Sequence, residues 1–364
     1  MPTCKSLKEK LFFYAFILSL IFLLLGFVLW YWKDFHLAGP FWISFLVFLA
    51  IGVRVHEKLR GFTYTISIFA AVVAAMLYPA NFIEISGYQL SGLIVPLLQI
   101  IMFGMGTSMS LNDFKGVVQM PKGVLIGVFC QFSIMPLIGY VLAKISGFPP
   151  EIAAGMILIG SSPSGMASNV MSYLAKANLA LSITITAITT MLAPFLTPIL
   201  MGFLAGEFVE VNVWKMMLDI VKIVIIPIGA GLLFNKFFSG KSKWLDDAMP
   251  LVSMIGIAFI IVIITAAGRD SLLDIGLLLI FFVTLHNLFG YSLGYWAAKV
   301  FGMPESDCRT IALEVGMQNA GLASGIAKEM GKIATVGLAP AVFGPLMNIS
   351  GSVLASYWHR KPGR

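Results

Sequence analysis

The chain has 364 residues, of which 59% are hydrophobic and only 11% charged. A soluble globular domain carries about 25% charged residues and about 45–50% apolar ones, so nearly every charge here must crowd into short connections between long apolar runs. That excludes a nucleic-acid binder, a disulfide-stapled secreted scaffold and a cytosolic enzyme, and it predicts a polytopic membrane protein.

The net charge of +7 is spread over small groups of Lys and Arg between apolar runs, as in loops retained on the cytoplasmic side of a membrane. Cys4, Cys130 and Cys308 show no metal-ligand spacing and form no even-numbered framework, so they read as small apolar fillers.

The first apolar run, 11–32, follows Lys5, Lys8 and Lys10. It is longer than the roughly 7–15 residues of a signal-peptide core, and Trp30-Tyr31-Trp32-Lys33 is no cleavage site. About 20 apolar residues cross a bilayer, so this run predicts a helix that is kept, with its aromatic residues at the membrane interface. Further runs at 39–54, 63–80, 88–108, 123–144, 151–175, 178–203, 213–235, 248–268, 272–298, 308–330 and 335–357 bring the expectation to about twelve spans. The run at 39–54 is short for a crossing and fits a tilted or re-entrant element. With the N-terminus inside, seventeen Lys and Arg fall on the cytoplasmic side. Six fall opposite: Lys33, Lys144, Lys215, Arg269, Lys328 and Lys332. This bias predicts that both termini are cytoplasmic. No polar stretch is long enough for an appended soluble domain.

A self-similarity at an offset of 155 runs through the chain. Gly139-Tyr140, Ala143-Lys144, Gly147 and Pro149 recur as Gly294-Tyr295, Ala298-Lys299, Gly302 and Pro304. Five spans separate the copies, an odd number, so the two units have opposite orientation. The expected organisation is a two-span extension at 1–62, a first five-helix repeat at 63–206 and an inverted second repeat at 207–364.

Each copy leads into a polar interruption within an apolar span. The first is Gly160-Ser161-Ser162-Pro163-Ser164-Gly165-Met166-Ala167-Ser168-Asn169, and the second is Glu314-Val315-Gly316-Met317-Gln318-Asn319-Ala320-Gly321. Pro163 removes a helical hydrogen bond, and unwound backbone at that depth survives only where it is buried in protein or lines a cavity. Broken helices at matching positions of two inverted halves point to a transporter's binding site. Small residues at tight helix contacts are the simpler reading for Gly104-Met105-Gly106, but they do not account for Asn169, Glu314, Gln318 and Asn319. Glu314 is the one acid set well inside a span. An ionised carboxylate at the bilayer centre costs at least ~2.5–3.5 kcal/mol, which a bound cation would offset. Protonation or a structural hydrogen bond is the alternative.

Ser168 and Asn169 offer side-chain oxygens beside the first break, and Ser182 and Thr186 present two hydroxyls on one helix face. Gln131, whose repeat-mate is His286, reads first as an interhelical hydrogen bond and second as a ligand. Two half-helix N-termini meeting at the midplane favour an anion.

At these residues the chain resembles the bile acid:sodium symporter family, over about residues 63–358. The resemblance rests on Phe103-Gly104-Met105-Gly106, Gln131-Phe132-Ser133-Ile134-Met135-Pro136, Ala167-Ser168-Asn169-Val170-Met171-Ser172-Tyr173-Leu174-Ala175 and Glu314-Val315-Gly316-Met317-Gln318-Asn319-Ala320-Gly321-Leu322. It implies an all-α, ten-helix inverted-repeat fold with two crossing broken helices, here carrying two extra N-terminal helices. It further implies two sodium sites, one using Ser168, Asn169, Ser182, Thr186 and Glu314, the other Gln131, Glu314, Gln318 and the carbonyls of Val315 and Met317. Substrate would lie by Gly165, Met166, Ala167 and Asn319. Family members often read Gly-Gly-Thr where this chain has Ser164-Gly165-Met166, a change expected to alter the substrate pocket and leave the ion sites intact.

The function implied is sodium-coupled import of an organic anion by alternating access, the anion being a small carboxylate such as a pantoate- or keto-acid-like compound or a bile-acid-like anion; the expected location is a bacterial inner membrane. The partners are Na+, that anion and the lipid bilayer, with no nucleic acid and no cofactor beyond the coupling ion. Proton coupling or sodium/proton exchange on the same scaffold is a second reading, although exchangers typically carry an acidic pair. A ligand sensor that moves nothing is a third. An integral-membrane enzyme lacks a nucleophile or metal constellation to build on.

Overall fold

Apolar runs surrounded by lipid must satisfy their backbone groups internally, and the chain accordingly forms helices almost throughout. The computed structural model describes residues 7–31, 35–56, 63–110, 113–238 and 243–361. Lys5, Lys33, Lys58, Arg60, Lys241 and Arg364, which entered the charge count, lie outside the described residues, as do Cys4 and Trp32.

The principal helices are α1 (Leu7–Tyr31), α2 (Phe35–Gly52), α3 (Thr63–Leu77), α4 (Ile94–Ser108) and α5 (Pro121–Ser146). Next come α6 (Pro150–Ser161), α7 (Ala167–Leu174), α8 (Leu179–Leu204), α9 (Val213–Ile220) and α10 (Ile226–Phe238). The chain closes with α11 (Lys243–Ala267), α12 (Arg269–Val300), α13 (Glu305–Gly316), α14 (Ala320–Glu329) and α15 (Leu338–His359). A π-helical turn, Val221–Ile225, joins α9 to α10. The one sheet among the described residues is a hairpin of β1 (Glu84–Ile85) and β2 (Tyr88–Gln89). Its turn residues Ser86 and Gly87 both take positive φ, as a two-residue hairpin of this kind requires.

Eight helical stretches among the described residues are long and apolar enough to cross a bilayer. The protein is an all-α, multi-pass integral membrane protein. The second span, expected to be short, is such a stretch, Leu37–Val55. The spans expected at 151–175 and 308–330 are each split in two, as their polar interruptions predict.

The chain divides into two compact units, one up to Leu90 with Ile261–Arg269, the other Ser91–Ile260 with Asp270–Arg364. In the first, Phe22 stacks on Phe48 with ring centroids 5.3 Å apart. Ala75, Val262 and Ala266 form a small core there with Ala71 and Phe82.

In the second unit, glycines bring helices together. A Cβ at Gly106 would lie 2.3 Å from the Ile228 carbonyl oxygen, and one at Gly231 would lie 2.2 Å from that of Phe103. The Gly104-Met105-Gly106 run is thus a helix contact, as its small residues suggest. The two halves of this unit also share local geometry at the 155-residue offset. Gly147 and Gly302 take left-handed φ of +69° and +68°. Two residues on, the carbonyls of Pro149 and Pro304 accept from Ile152 and Asp307 at 2.9 and 3.0 Å as α6 and α13 begin.

Candidate ion and substrate site

The site is built on the two breaks. Pro163 has no N–H to continue α6, and Ser162 turns extended at φ −78°, ψ 156°. In the second break Met317 is extended at φ −114°, ψ 101°, and the Asn319 side chain caps α14 by accepting from the Leu322 N–H at 3.0 Å. The unwound segments cross antiparallel. Gly165 N–H donates to Met317 O and Asn319 N–H to Pro163 O, both at 2.8 Å, around a bridge between Ser164 and Gln318. Each segment thereby supplies the hydrogen bonds that hydrocarbon cannot. Ser164 Oγ adds a bond to the Glu314 carbonyl at 3.1 Å. Glycine is needed at 165, where a Cβ would stand 2.7 Å from Gln318 O.

Behind the crossing lies the Glu314 carboxylate, on the last turn of α13 and fully buried. Its Oε1 accepts from Ser168 Oγ and Ser182 Oγ, each at 2.5 Å, and its Oε2 accepts from Thr186 Oγ1 at 2.8 Å. Asn169 Oδ1 accepts from the same two α8 hydroxyls, Ser182 at 2.9 Å and Thr186 at 3.2 Å. The i, i+4 spacing of Ser182 and Thr186 does what it predicts, placing both hydroxyls on one face toward the break. All five residues of the first expected set therefore converge, with two carboxylate oxygens, three hydroxyls and one amide oxygen. Such an all-oxygen set with one negative charge suits a hard cation.

The second expected set also gathers. Gln131 Nε2 donates to Gln318 Oε1 at 2.6 Å and to Ser162 O at 2.8 Å, while Gln318 Nε2 donates to Val315 O at 2.7 Å. Gln131 Oε1 is buried without a hydrogen-bond partner, an orphan acceptor whose desolvation goes unrepaid. The Met317 carbonyl receives the Gly165 N–H and keeps a second lone pair. The Glu314 carboxylate itself faces the first set.

Of the expected substrate positions, Gly165 is buried in the crossing, Ala167 opens α7, Asn319 is 9% exposed and Met166 is 42% exposed. The half-helices α7 and α14 begin beside the crossing, so both positive helix ends are directed there. Their outer faces differ. Val170 and Tyr173 on α7 are exposed, whereas Leu322, Ala323 and Ile326 on α14 are buried. The C-terminal end of α14 is tied down by Lys215 Nζ on the Glu329 carbonyl at 3.1 Å and by Lys328 Nζ on Ser91 Oγ at 3.2 Å. Ser162 and Ser164 were not singled out individually in the sequence, although both lie in the polar run that marks the first break. Asn287 went unnoticed altogether, although it adjoins His286.

Residues 95–275 match the profile described as the Sodium Bile acid symporter family. The chain is 41% identical over 310 residues to the Uncharacterized sodium-dependent transporter YocS of Bacillus subtilis (strain 168), covering 85% of this chain and 94% of that one. It is 33% identical to the Probable sodium/metabolite cotransporter BASS1, chloroplastic, of Arabidopsis thaliana, over 72% of this chain and 66% of that protein. The Ileal sodium/bile acid cotransporter of Oryctolagus cuniculus is 32% identical over 68% of this chain and 72% of its own length. These relatives are transporters.

Proposed function

Because the chain belongs to the sodium bile acid symporter family, whose members are sodium-dependent transporters, we propose that it is a symporter that imports a small organic anion with Na+. The observation that carries this reading is the Glu314 carboxylate held by Ser168, Ser182 and Thr186, with Asn169 completing an oxygen cage. Na+ in that cage would turn the three hydroxyls from donors to Glu314 into ligands. A second Na+ would use Gln131, Gln318 and the carbonyls of Val315 and Met317, where the Gln131 Oε1, buried without a hydrogen-bond partner, would be a ligand. Two cations against one carboxylate leave one positive charge, which suits a monoanionic carboxylate at the crossing. There the helix ends of α7 and α14 and the side chains of Met166 and Asn319 would receive it.

The repeat geometry supports division into 1–62, 63–206 and an inverted 207–364. With both termini cytoplasmic in a bacterial inner membrane, α14 is the outer half-helix and α7 the inner one. Buried α14 and exposed α7 then correspond to a state closed outside and open to the cytoplasm, with Lys215 and Lys328 fastening the outer side. The inverted repeat supplies the opposite state by exchanging the packing of its halves.

The test is uptake by proteoliposomes of radiolabelled short-chain 2-oxo and hydroxy carboxylates and bile acids under an inward Na+ gradient. Concentrative uptake that collapses with the gradient and is lost in Glu314→Gln is expected. Flux driven by a pH gradient without Na+ would favour proton coupling, and ligand binding without flux a sensor.

A further inference from the structure

The chain breaks after Gly316, and the carbonyl there is taken by a residue outside both ion sets. Asn287, on α12 and only 1% exposed, donates from Nδ2 to Gly316 O at 2.7 Å. Its own orientation is fixed from α15, where Ser350 Oγ donates to Asn287 Oδ1 at 2.6 Å. Tyr291 Oη closes the network, 3.2 Å from both Ser350 Oγ and Met347 O. The backbone fits this arrangement closely. A Cβ at Gly316 would lie 2.2 Å from the Tyr291 ring, and one at Gly290 would lie 2.9 Å from Gly316 Cα and 3.2 Å from Val315 O. Two glycines and one ring thus press α12 onto the break.

We propose that Asn287, held by Ser350 and Tyr291, is a positioning residue for ion binding. By anchoring the Gly316 carbonyl between them, it holds the flanking carbonyls of Val315 and Met317 in place for the second set. Met317 is extended, so its carbonyl and that of Gly316 point to opposite sides of the chain. Val315 O meets Gln318 Nε2 and Met317 O meets Gly165 N–H. With Asn287 removed, the Gly316–Met317 peptide keeps only the bond from its Met317 N–H to Leu313 O at 3.0 Å, and the looser peptide no longer holds the carbonyls on either side of it in register. Partners of this outer kind alter metal affinity by about 10–100-fold. The inference rests on the second Na+ set of the proposed function and adds the residues that aim it.

The experiment is a Na+ titration of thermal unfolding at constant ionic strength, with K+ as the replacement, on wild type, Asn287→Ala and Ser350→Ala. The Na+ concentration for half-maximal upshift is expected to rise at least tenfold in Asn287→Ala, with a shallower titration as one of two sites is lost. In Ser350→Ala, which leaves the Asn287 amide in place but loosens it, a smaller rise of about threefold is expected. A purely structural role would lower the unfolding temperature in K+ while leaving both Na+ midpoints at the wild-type value, and that result overturns the proposal. If Asn287→Ala does not fold, an unchanged midpoint in Ser350→Ala overturns it alone. A wild type with no Na+ response would instead overturn the sodium reading beneath it, and the variants would then also unfold identically in Na+ and K+.

Discussion

Lys176 and Gly331, 155 positions apart, close the half-helices α7 and α14 with the same turn, both at positive φ. Ala177 N–H reaches back to Ser172 O and Lys176 N–H to Tyr173 O. Lys332 N–H to Ala327 O and Gly331 N–H to Lys328 O repeat the pair. Both are Schellman caps, but only one has the residue that fits it. A left-handed conformation costs an L-residue roughly 1–2 kcal/mol. Lys176→Gly is therefore expected to stabilise the protein by about 1 kcal/mol after glycine's own entropy is counted. Gly331→Ala is expected to destabilise it by a similar amount. Thermal unfolding in detergent reads both.

The contact of α4 with α10 sets a packing prediction. Adding a methyl group at Gly106 or Gly231 drives it against backbone rather than a yielding side chain. Overpacking of this kind costs about 1–3 kcal/mol, so Gly106→Ala and Gly231→Ala should each lower the unfolding temperature. Gly229→Ala, where a Cβ meets nothing within 4 Å, should not lower it by steric conflict.

Access to the crossing is testable with cysteines. Ala323→Cys on buried α14 should resist a membrane-impermeant maleimide from either side. Met166→Cys, at a 42% exposed position, should label from the cytoplasmic face only. Removing both outer ties, in Lys215→Ala/Lys328→Ala, should make Ala323→Cys reactive from outside. Continued protection there would show that the lysines do not hold the outer side shut.

Glu207, in the connection after α8, gives a pH prediction. The hydrogen bond from Lys144 Nζ at 2.6 Å holds its carboxyl below the usual carboxylate range. A depressed folded-state pKa contributes stability above the unfolded value near 4.3 and loses it as pH falls through the folded value. The difference in unfolding temperature between wild type and Glu207→Gln should therefore be small, because both partners are exposed. It should vanish on acidification from about pH 7 to about pH 3.

Much of this architecture was legible in the sequence because lipid leaves the backbone few choices. Apolar runs announced the spans, and Pro163 with its serines announced a break that only a lined interior tolerates. Glu314 was conspicuous as a charge with no water to hold it. The hairpin at Glu84–Gln89 falls at a break between two predicted spans whose few residues carry no strand signal, and the π turn at Val221–Ile225 leaves the apolar pattern unbroken. Asn287, Tyr291 and Ser350 were invisible for a different reason. They come together from α12 and α15, and their relation to Gly316 exists only once the helices pack. Nor could sequence say that α14 would be covered and α7 exposed, because that depends on which helices pack over each half-helix.

The claim at the centre of this account is that Glu314 and its hydroxyl partners hold sodium. Thermal unfolding of the purified protein in matched NaCl and KCl, for wild type and Glu314→Gln, tests it most directly. A ligand that binds only the folded state at about 100 times its Kd stabilises it by about 2.7 kcal/mol. Wild type should show a sodium-specific upshift that Glu314→Gln lacks. Identical unfolding of wild type in the two salts would contradict the account.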